Sequence, residues 1–567
     1  MIIARPPRSI ECLRGYTLHA LLGDSIAGLT VGLVALPLAM AFAIASGVPP
    51  QVGLYTAVVA GFLISALGGS RTQIGGPTGA FVIIVAGIVA KFGLSGLALV
   101  GLMAGVLLVI MGITGLGSAV KYIPRPVTIG FTNGIALLIA STQIKDFLGL
   151  RTPAVPSDFL GRMSVLAHFI ATTRWQTVAV GAASLAIILF WPRLTRRVPG
   201  SIIALVAGTA AVTLFHLPVE TIGSKFGGIP RGLPHFALPP FHGEHILPLL
   251  PSAFTVAMLA AVESLLSAVV ADGMSGDHHD SNMELIAQGI ANIFSPVFGG
   301  MPATGAIART ATNIRSGGKT PIAGMVHALT LLLILLVAAP LASYIPLATL
   351  AAVLFVVAYN MGEWREIAVI LRLSRADIAV WITTFALTVF ADLTVAVSVG
   401  MGLAALLYIH RIAATTMVAS VTPQYLADGR AHILQDQVIP SNVSILSIHG
   451  PFLFGTTDKL EAATRDLTQL GDVVLLRLRN TTALDSTGIH AFEQLHTRLH
   501  KAGKALLLCG ARNQPLALIT GSGFLQTLGQ ENILPNVQAA LDRARQVQAD
   551  FEGIGHDLAL EMQTSAL

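Results

Sequence analysis

The stretch GGPTGAF (75–81) has a counterpart far downstream, GMPATGAI (300–307). Each contains a proline that is followed, directly or after one residue, by Thr-Gly-Ala and a bulky apolar residue. Each also adjoins a hydrophobic segment that is too short for an ordinary membrane span. Because proline cannot continue a helix from upstream, Pro77 and Pro302 each begin or interrupt one. The chain therefore contains two related helix starts in two distant places.

The composition is typical of a polytopic membrane protein. Of the 567 residues, 54% are hydrophobic and 11% charged, whereas soluble domains carry about 25% charged residues. The two cysteines, Cys12 and Cys509, lie at opposite ends of the chain, and no Cys/His spacing is typical of a metal site. A net charge of +5 fits basic cytoplasmic loops and gives no reason to expect nucleic-acid binding. The sequence shows no catalytic nucleophile and no phosphate-cradling loop, so we expect neither an enzyme nor a cofactor.

Hydrophobic segments follow one another between residues 24 and 411, which we take as a transmembrane transporter domain after a cytoplasmic segment, 1–23. About fourteen spans are predicted, at 24–45, 51–68, 77–91, 95–117, 124–143, 176–192, 200–215, 251–271, 284–299, 305–315, 321–341, 345–360, 377–391 and 393–410. The two unusual segments are the third and the tenth, which indicates two repeats of seven. Because seven is odd, the second repeat is inverted in the membrane. Short spans interrupted by Gly or Pro at corresponding positions of inverted repeats are typical of secondary transporters.

Lysine and arginine residues near the span ends favour a location in the cell inner membrane with both termini in the cytoplasm. The segment 144–175 is the exception, because it places Lys145, Arg151, Arg162 and Arg174 outside.

After Arg411 the pattern changes to alternating strands and helices, which predicts a small α/β domain. We assign residues 412–440 to a linker and the start of this domain, 441–547 to the domain itself and 548–567 to a tail. The predicted strands are Val443–Gly450, Asp472–Arg479 and Lys504–Ala511, and the predicted helices lie at about 456–469, 486–502, 513–520 and 535–547.

The paired helix starts predict an anion site. Two half-helices that point their N-termini at one cavity near the membrane midplane offer free N–H groups and positive dipole ends. Thr78 and Thr304 can cap exposed amides, and Gly79 and Gly305 let a solute approach the backbone closely. The alternative is a pair of ordinary Gly/Pro loops. The shared motif and the matching ordinal position favour the half-helices.

Two ionisable residues within the predicted spans are candidates for function. Glu263 lies deep in the eighth span, where a carboxylate is costly and normally functional. Burial disfavours its charged form, so it can carry a proton near neutral pH; the alternative is an acid that only bonds neighbouring helices. Arg309, about one turn into the tenth span, can neutralise Glu263 or face the anion. Ser267 lies at i+4 from Glu263, on the same helix face, and Phe42 either lines the cavity or simply packs.

The chain resembles the SulP (sulfate permease) anion transporters from about residue 20 to about residue 545. The resemblance is carried by ALPLAMAFAIASGVPPQVGLYTA (35–57), GGPTGAF (75–81), QIKDFLGL (143–150), VESLLSAVVADGM (262–274), ELIAQGIANI (284–293) and GAIARTATNIRSGGKTPIAG (305–324). It is strongest to a bacterial C4-dicarboxylate carrier of that family. The resemblance implies a core domain of spans 1–4 and 8–11 and a gate domain of spans 5–7 and 12–14. It further implies elevator-like transport, with the anion between the starts of spans three and ten. A homodimer is also implied.

The resemblance also implies that the C-terminal α/β domain is a STAS domain, similar to bacterial anti-sigma-factor antagonists. It rests on IHGPFLFGTTDKL (448–460) and ALDSTGIHAF (483–492). Ser486 matches the serine that is phosphorylated in the antagonists, although a serine at a helix start is more commonly an N-cap. The domain is a candidate for binding a cytosolic protein partner.

Departures from the family pattern bear on coupling and substrate. Sodium-coupled bicarbonate members resemble this chain but have Asp where Glu263 stands and Thr where Ile307 stands, which favours proton coupling here. Sulfate members usually have Gln where Leu38 stands, which weakens a sulfate assignment.

We therefore predict a proton-coupled carrier of small anions, for a C4-dicarboxylate such as succinate or fumarate first, sulfate second and bicarbonate third. Glu263 and Ser267 would serve coupling. The predicted substrate-binding residues are Phe42, Thr78, Gly79, Ala80, Thr304, Gly305, Ala306 and Arg309. The alternatives are a bicarbonate or sulfate transporter with other coupling, an anion channel, and a membrane-anchored regulator.

Overall fold

The structure is a computed structural model that describes residues 6–118, 124–153, 155–156, 158–195, 199–230, 232–234, 236–238, 246–391, 393–421 and 439–564, without the side chains of 393–394 and 551–564. The chain divides into two compact units, Met1–Ala404 and Ala405–Leu567.

In its described residues, the first unit is helical apart from two very short strands. Its elements are α1 (Arg8–Leu13), α2 (Leu18–Ala45), α3 (Pro50–Leu67), β1 (Gly75–Gly76), α4 (Phe81–Ile113), α5 (Arg125–Leu148), α6 (Phe159–His168), α7 (Trp175–Leu194), α8 (Gly200–Leu214), α9 (Ile222–Phe226), α10 (Ile246–Ser275), α11 (Ser281–Val297), β2 (Thr304–Gly305), α12 (Ile307–Arg315), α13 (Pro321–Ala342), α14 (Leu347–Met361), α15 (Trp364–Ile370) and α16 (Arg375–Phe390). The helix α17 (Leu393–Thr415) continues into the second unit.

Each predicted span corresponds to a helical segment in the expected order. The third and fourth spans form one 33-residue helix, α4, which is broken at Gly93, where φ is +68°. Glycine takes this left-handed conformation without steric cost, and the break falls between the predicted spans. Proline begins α3 and α13, because its missing N–H is not needed in a first turn. Among the described residues, nine helices are long and apolar enough to cross a membrane.

The helices of the first unit pack in two groups. One group contains α2, α3, α4, α10, α11, α12 and α13, and the other contains α5, α7, α8, α14 and α16. The first group contains the helices expected in the core domain, and the second contains those expected in the gate domain other than the fourteenth span, α17. We use the names core and gate for these groups below. The predicted fold class, a polytopic helical membrane domain followed by a small α/β domain, is confirmed.

The second unit contains a five-stranded sheet in the order β3-β4-β5-β6-β7. Its strands are β3 (Met417–Ser420), β4 (Val443–Phe452), β5 (Val473–Leu484), β6 (Ala505–Cys509) and β7 (Ile533–Leu534). β3 pairs antiparallel with β4, and the other neighbours are parallel. The helices are α18 (Thr457–Ala463), α19 (Ser486–Lys501), α20 (Asn513–Gly521), α21 (Phe524–Leu528) and α22 (Val537–Thr564). The short strands β3 and β7 are additions to the predicted pattern.

Candidate functional site

The two helix starts meet in space. β1 pairs antiparallel with β2, with Gly75 opposite Gly305 and Gly76 opposite Thr304. The N–H of Ala306 donates to the carbonyl of Ile74 at 2.8 Å. The pairing brings the first turns of α4 and α12 together, as inverted half-helices require. Their motifs are therefore not two separate surface loops.

Alanine occupies the N-cap position at both helix starts. Ala80 precedes α4 and Ala306 precedes α12, and among the residues that the structure describes neither helix has a side-chain cap hydrogen bond. The prediction that the threonines cap these helices is wrong, because both hydroxyls bond to α10 instead. Thr78 donates to Oε2 of Glu263 at 2.9 Å, and Thr304 donates to the Ala260 carbonyl at 3.1 Å.

The uncapped amides leave positive polarity at the site. Among the described residues, no hydrogen bond engages the backbone N–H groups of Ile307 and Ala308 in the first turn of α12. Both residues are exposed, Ile307 by 43%. Free amides at a helix N-terminus favour a bound anion.

Glu263 differs from two other acids of the core group. The carboxylate of Glu284 is fully buried and accepts from two backbone amides and two glutamine side chains at 2.9–3.2 Å. Asp24 is 1% exposed and accepts from Tyr16 and from the Lys319–Thr320 turn. The carboxylate oxygens of Glu284 and Asp24 are therefore occupied by hydrogen bonds that stabilise the fold. Glu263 is only partly buried, and Thr78 is its one hydrogen-bond partner among the described residues. Of these three acids, Glu263 is therefore the one whose carboxylate is best able to take up a proton.

Arg309 ties the two half-helices together. It is 2% exposed, and its Nη2 donates to the carbonyl of Pro77 at 2.7 Å, immediately before Thr78. Within the described part of the chain it forms no ion pair with Glu263. Its charge therefore lies at the base of the helix starts, where it adds to their positive polarity.

Two serines on α10, Ser264 and Ser267, have different partners, which their sequence spacing from Glu263 did not reveal. Ser267 is buried and bonds to the hydroxyl of Thr310 at 3.3 Å. Ser264 bonds to the hydroxyl of Thr304 at 2.7 Å and accepts from the Gly305 N–H at 3.2 Å. Ser264 is thus the serine that holds the start of α12, and sequence reasoning missed it. Ser264 directly follows Glu263 in the sequence, whereas Ser267 is four residues away. Only the observed orientation of α10 shows that Ser264 is the serine that contacts the start of α12.

Gly79 is covered by side chains from both helix groups. A Cβ at Gly79 would lie 2.8 Å from the Met361 sulfur, 3.0 Å from Ile139 Cδ1 and 3.3 Å from Phe42 Cε1. Phe42 is 4% exposed and comes from the core group, whereas Ile139 and Met361 come from the gate. Sequence reasoning predicted Phe42 but missed the two gate residues, because nothing in their local pattern links them to Gly79. An anion that reaches Gly79 must separate these contacts.

The serine of the C-terminal unit lies where the motif placed it. Ser486 is exposed and is the first residue of α19. The N-cap is Asp485, whose carboxylate accepts from the Gly488 and Phe454 amides at 2.8 and 2.9 Å. The interpretation of Ser486 as an N-cap is therefore wrong, and phosphorylation of Ser486 stays a prediction.

Both parts of the chain match known families. Residues 21–384 match the sulfate permease family, and residues 435–540 match the STAS domain. The chain belongs to the sulfate permease family.

Two relatives align with this member of the sulfate permease family over most of its length. YvdB of Bacillus subtilis, which bears a provisional sulfate-transporter name, is 43% identical over 522 residues, covering 92% of this chain and 97% of its own. The bicarbonate transporter BicA of Picosynechococcus is 32% identical over 475 residues, covering 79% of this chain and 81% of its own. Relatives and family are transporters, so the chain is an anion transporter and not an enzyme.

Two solved structures share the fold of this chain. The transmembrane domain of a cyanobacterial BicA is 34% identical, with a TM-score of 0.60, and covers 69% of this chain and 98% of its own. The overall structure of SLC26A9 has a TM-score of 0.83 and covers 96% of this chain and 93% of its own. At 20% identity, the likeness to SLC26A9 concerns the fold alone.

Proposed function

We propose that this chain is a proton-coupled secondary carrier of small anions, with C4-dicarboxylates such as succinate or fumarate first, sulfate second and bicarbonate third. The observation that carries the proposal is the hydrogen bond between Glu263 and Thr78 beside the paired helix starts. A protonatable carboxylate and an anion-attracting pair of helix N-termini are thereby joined in one site.

Electrostatics couples the proton to the anion. When Glu263 is ionised it repels an anion at the starts of α4 and α12, and when it is protonated the repulsion is removed. Two unit charges about 4–8 Å apart at an effective dielectric constant of about 20 interact by about 2–4 kcal/mol, or about 30- to 1000-fold in affinity. A lower pH on the uptake side therefore favours binding of the anion together with a proton.

Ile307 supports proton coupling over sodium coupling. This side chain is 43% exposed in the first turn of α12, and it is apolar. Sodium prefers oxygen ligands, as hard cations do, and Ile307 offers none. The names of the relatives favour sulfate or bicarbonate, whereas the motif resemblance favours a dicarboxylate. We therefore keep all three anions in the test.

The gate contacts support an elevator-like movement. Ile139 and Met361 lie against Gly79, so the anion enters or leaves when the core slides past the gate and these contacts separate. We place the protein in the cell inner membrane with both termini in the cytoplasm. We further propose a homodimer and a cytosolic protein partner for the STAS domain.

Uptake into proteoliposomes tests the proposal. Labelled succinate, fumarate, sulfate and bicarbonate are offered with and without an inward proton gradient. Glu263→Gln should still bind the anion but lose accumulation driven by the gradient, because glutamine cannot exchange a proton. The matched control is Glu220→Gln, which neutralises an exposed acid. Unchanged accumulation in Glu263→Gln would remove this residue from coupling.

The same assay separates a carrier from an anion channel. A carrier accumulates the substrate above its external concentration when only a proton gradient is supplied. If the wild-type protein merely equilibrates the substrate, the carrier proposal is wrong and the channel alternative gains support.

A further inference from the structure

Two buried side chains beside the helix starts keep polar atoms without a protein partner. His327 on α13 is fully buried, and neither ring nitrogen has a hydrogen-bond partner among the described residues. Arg309 uses Nη2 to reach Pro77, but its Nη1 is likewise buried and unpartnered within the described structure. A buried polar atom left unpaired costs about 1–3 kcal/mol. Such atoms in a native fold require an explanation.

The His327 ring faces a space that a glycine leaves open on α3. Its Nε2 lies 3.8 Å from the position that a Cβ would occupy at Gly61, and the Gly75 carbonyl oxygen lies 3.1 Å from that same position. Any larger side chain at Gly61 would enter this space. The imidazole nitrogen and the carbonyl oxygen therefore border one small volume.

The register of the β1–β2 pairing leaves the carbonyl oxygen of Gly75 available to accept a hydrogen bond. The bond from the Ala306 N–H to the Ile74 carbonyl places Gly75 and Gly305 in a non-hydrogen-bonded pair of the antiparallel ladder. The N–H of Gly305 accordingly turns away from β1 to Ser264. The polar groups of Gly75 turn away from β2 in the same manner, towards α3.

Arg309 borders the same face of α3 one turn earlier. Its Nη1 lies 2.5 Å from the position of a Cβ at Gly76, and Ala57 Cα lies 3.5 Å from that position. Ala57 and Gly61 are four residues apart, so their positions on the helix surface are about 5–6 Å apart. This is the spacing of the two α3 positions that Nη1 and Nε2 border, and one bridging molecule with two hydrogen bonds of about 2.8–3.0 Å each spans a gap of that length.

We propose that an internal water molecule binds between Arg309, His327 and Gly75, and that His327 is a positioning residue for the arginine at the anion site. The water accepts from Arg309 Nη1 and donates to His327 Nε2 and to the Gly75 carbonyl. Three polar partners are the usual number for a buried water. This bond pattern gives His327 the neutral tautomer with its proton on Nδ1, a nitrogen that this water does not reach. The inference rests on the proposed anion site.

The water fixes the direction of the guanidinium. Nη2 is held by Pro77 on one side, and the water holds Nη1 on the other. Without the acceptor at His327, the water keeps two partners and Arg309 loses part of its support. The expected consequence is weaker anion binding with little change in turnover, because the moving contacts at Gly79 are untouched.

Two substitutions at His327 test the positioning role in proteoliposomes, with labelled succinate and sulfate as probes. His327→Leu removes the acceptor and should raise KM about five- to thirtyfold with Vmax nearly unchanged. His327→Gln keeps an acceptor and should recover most of the affinity. Thr330→Val, on the same helix, is the control for an apolar replacement, because within the described residues its hydroxyl bonds only to its own helix at Val326. Equal KM values for wild type, His327→Leu and Thr330→Val would overturn the proposal.

Direct observation of the water separates this inference from the proposed function. Electron cryo-microscopy of the wild type in nanodiscs should show a density peak within hydrogen-bonding distance of Nη1 and Nε2. If other internal waters are visible and this peak is missing, the inference fails, whatever the transport result. If the wild type takes up neither probe, the proposed substrate class fails, and the density still decides the water.

Discussion

Replacing Gly305 with alanine should destabilise the membrane unit strongly, although alanine fits the backbone conformation of a strand. A Cβ at Gly305 would lie 2.0 Å from Nε2 of Gln73 and 3.2 Å from Cα of Ser264. Real Cβ atoms do not approach this closely, so Gln73 must move. It is not free to move, because its Nε2 donates to the buried carboxylate of Glu284 at 2.9 Å.

The cost follows from these two contacts. Displacing Gln73 breaks a hydrogen bond to a charged group, which is worth about 1.5–3 kcal/mol. Inserting a methyl group against the backbone of α10 adds an overpacking cost of about 1–3 kcal/mol. The free energy of unfolding should therefore fall by about 2.5–6 kcal/mol in total.

The assay is a double-mutant cycle on the detergent-solubilised protein, with the free energy of unfolding measured by titration into a denaturing detergent. Gln73→Ala removes the obstructing amide and its hydrogen bond, so adding Gly305→Ala to that variant should cost only the overpacking against α10, about 1–3 kcal/mol. The coupling energy should therefore be about 1.5–3 kcal/mol, which is the share assigned to the hydrogen bond. Gly402→Ala is the control, because no atom of the described part of the chain lies within 4 Å of its added Cβ.

Two results would refute this reasoning. Gly305→Ala could cost no more than Gly402→Ala, which would mean that the site relaxes without breaking the bond to Glu284. The effects of Gln73→Ala and Gly305→Ala could also add without coupling, which would mean that Gln73 is not the obstacle.

The remaining predictions concern the C-terminal unit. Asp485→Ala removes the acceptor for two backbone amides and should destabilise this unit by about 1–2 kcal/mol; limited proteolysis of the full chain should show faster cleavage there, with Ser486→Ala as the control. Burial raises the pKa of the Cys509 thiol to about 11. Since the thiolate is the reactive form, alkylation of Cys509 in the folded protein should be slow at neutral pH and faster as the pH rises, and mass spectrometry should show that unfolding abolishes this protection. Rapid labelling in the folded state would contradict it.

Much of the fold could be predicted from hydrophobic patterning. Segments about 20 residues long with few charges can bury their backbone polar groups only as helices in a bilayer. The helix order and the break in α4 near Gly93 followed from that pattern. The strands β3 and β7 could not be predicted, because four and two residues give too short an alternation to separate from a loop.

The sequence predicted the candidate site less completely than it predicted the fold. The motif residues Thr78 and Thr304 come together as expected, yet both hydroxyls bond to α10 rather than capping their own helices. Ser264 and Met361 escaped notice because their importance depends on which face of a helix meets a distant segment. Spacing within one helix cannot show that.

The sequence by itself determined that the chain crosses a membrane many times, that two related broken helices lie in its two halves, and that a small α/β domain follows. These properties depend on local composition and on residues such as Pro77 and Pro302, which act on the backbone where they stand. Only the tertiary structure decided which side chains share the site. The antiparallel pairing of β1 with β2 joins residues more than two hundred positions apart, and it brings Thr78 and Pro77 to the positions where they contact Glu263 and Arg309. Those partners are set by distances across helices, and no local pattern encodes such distances.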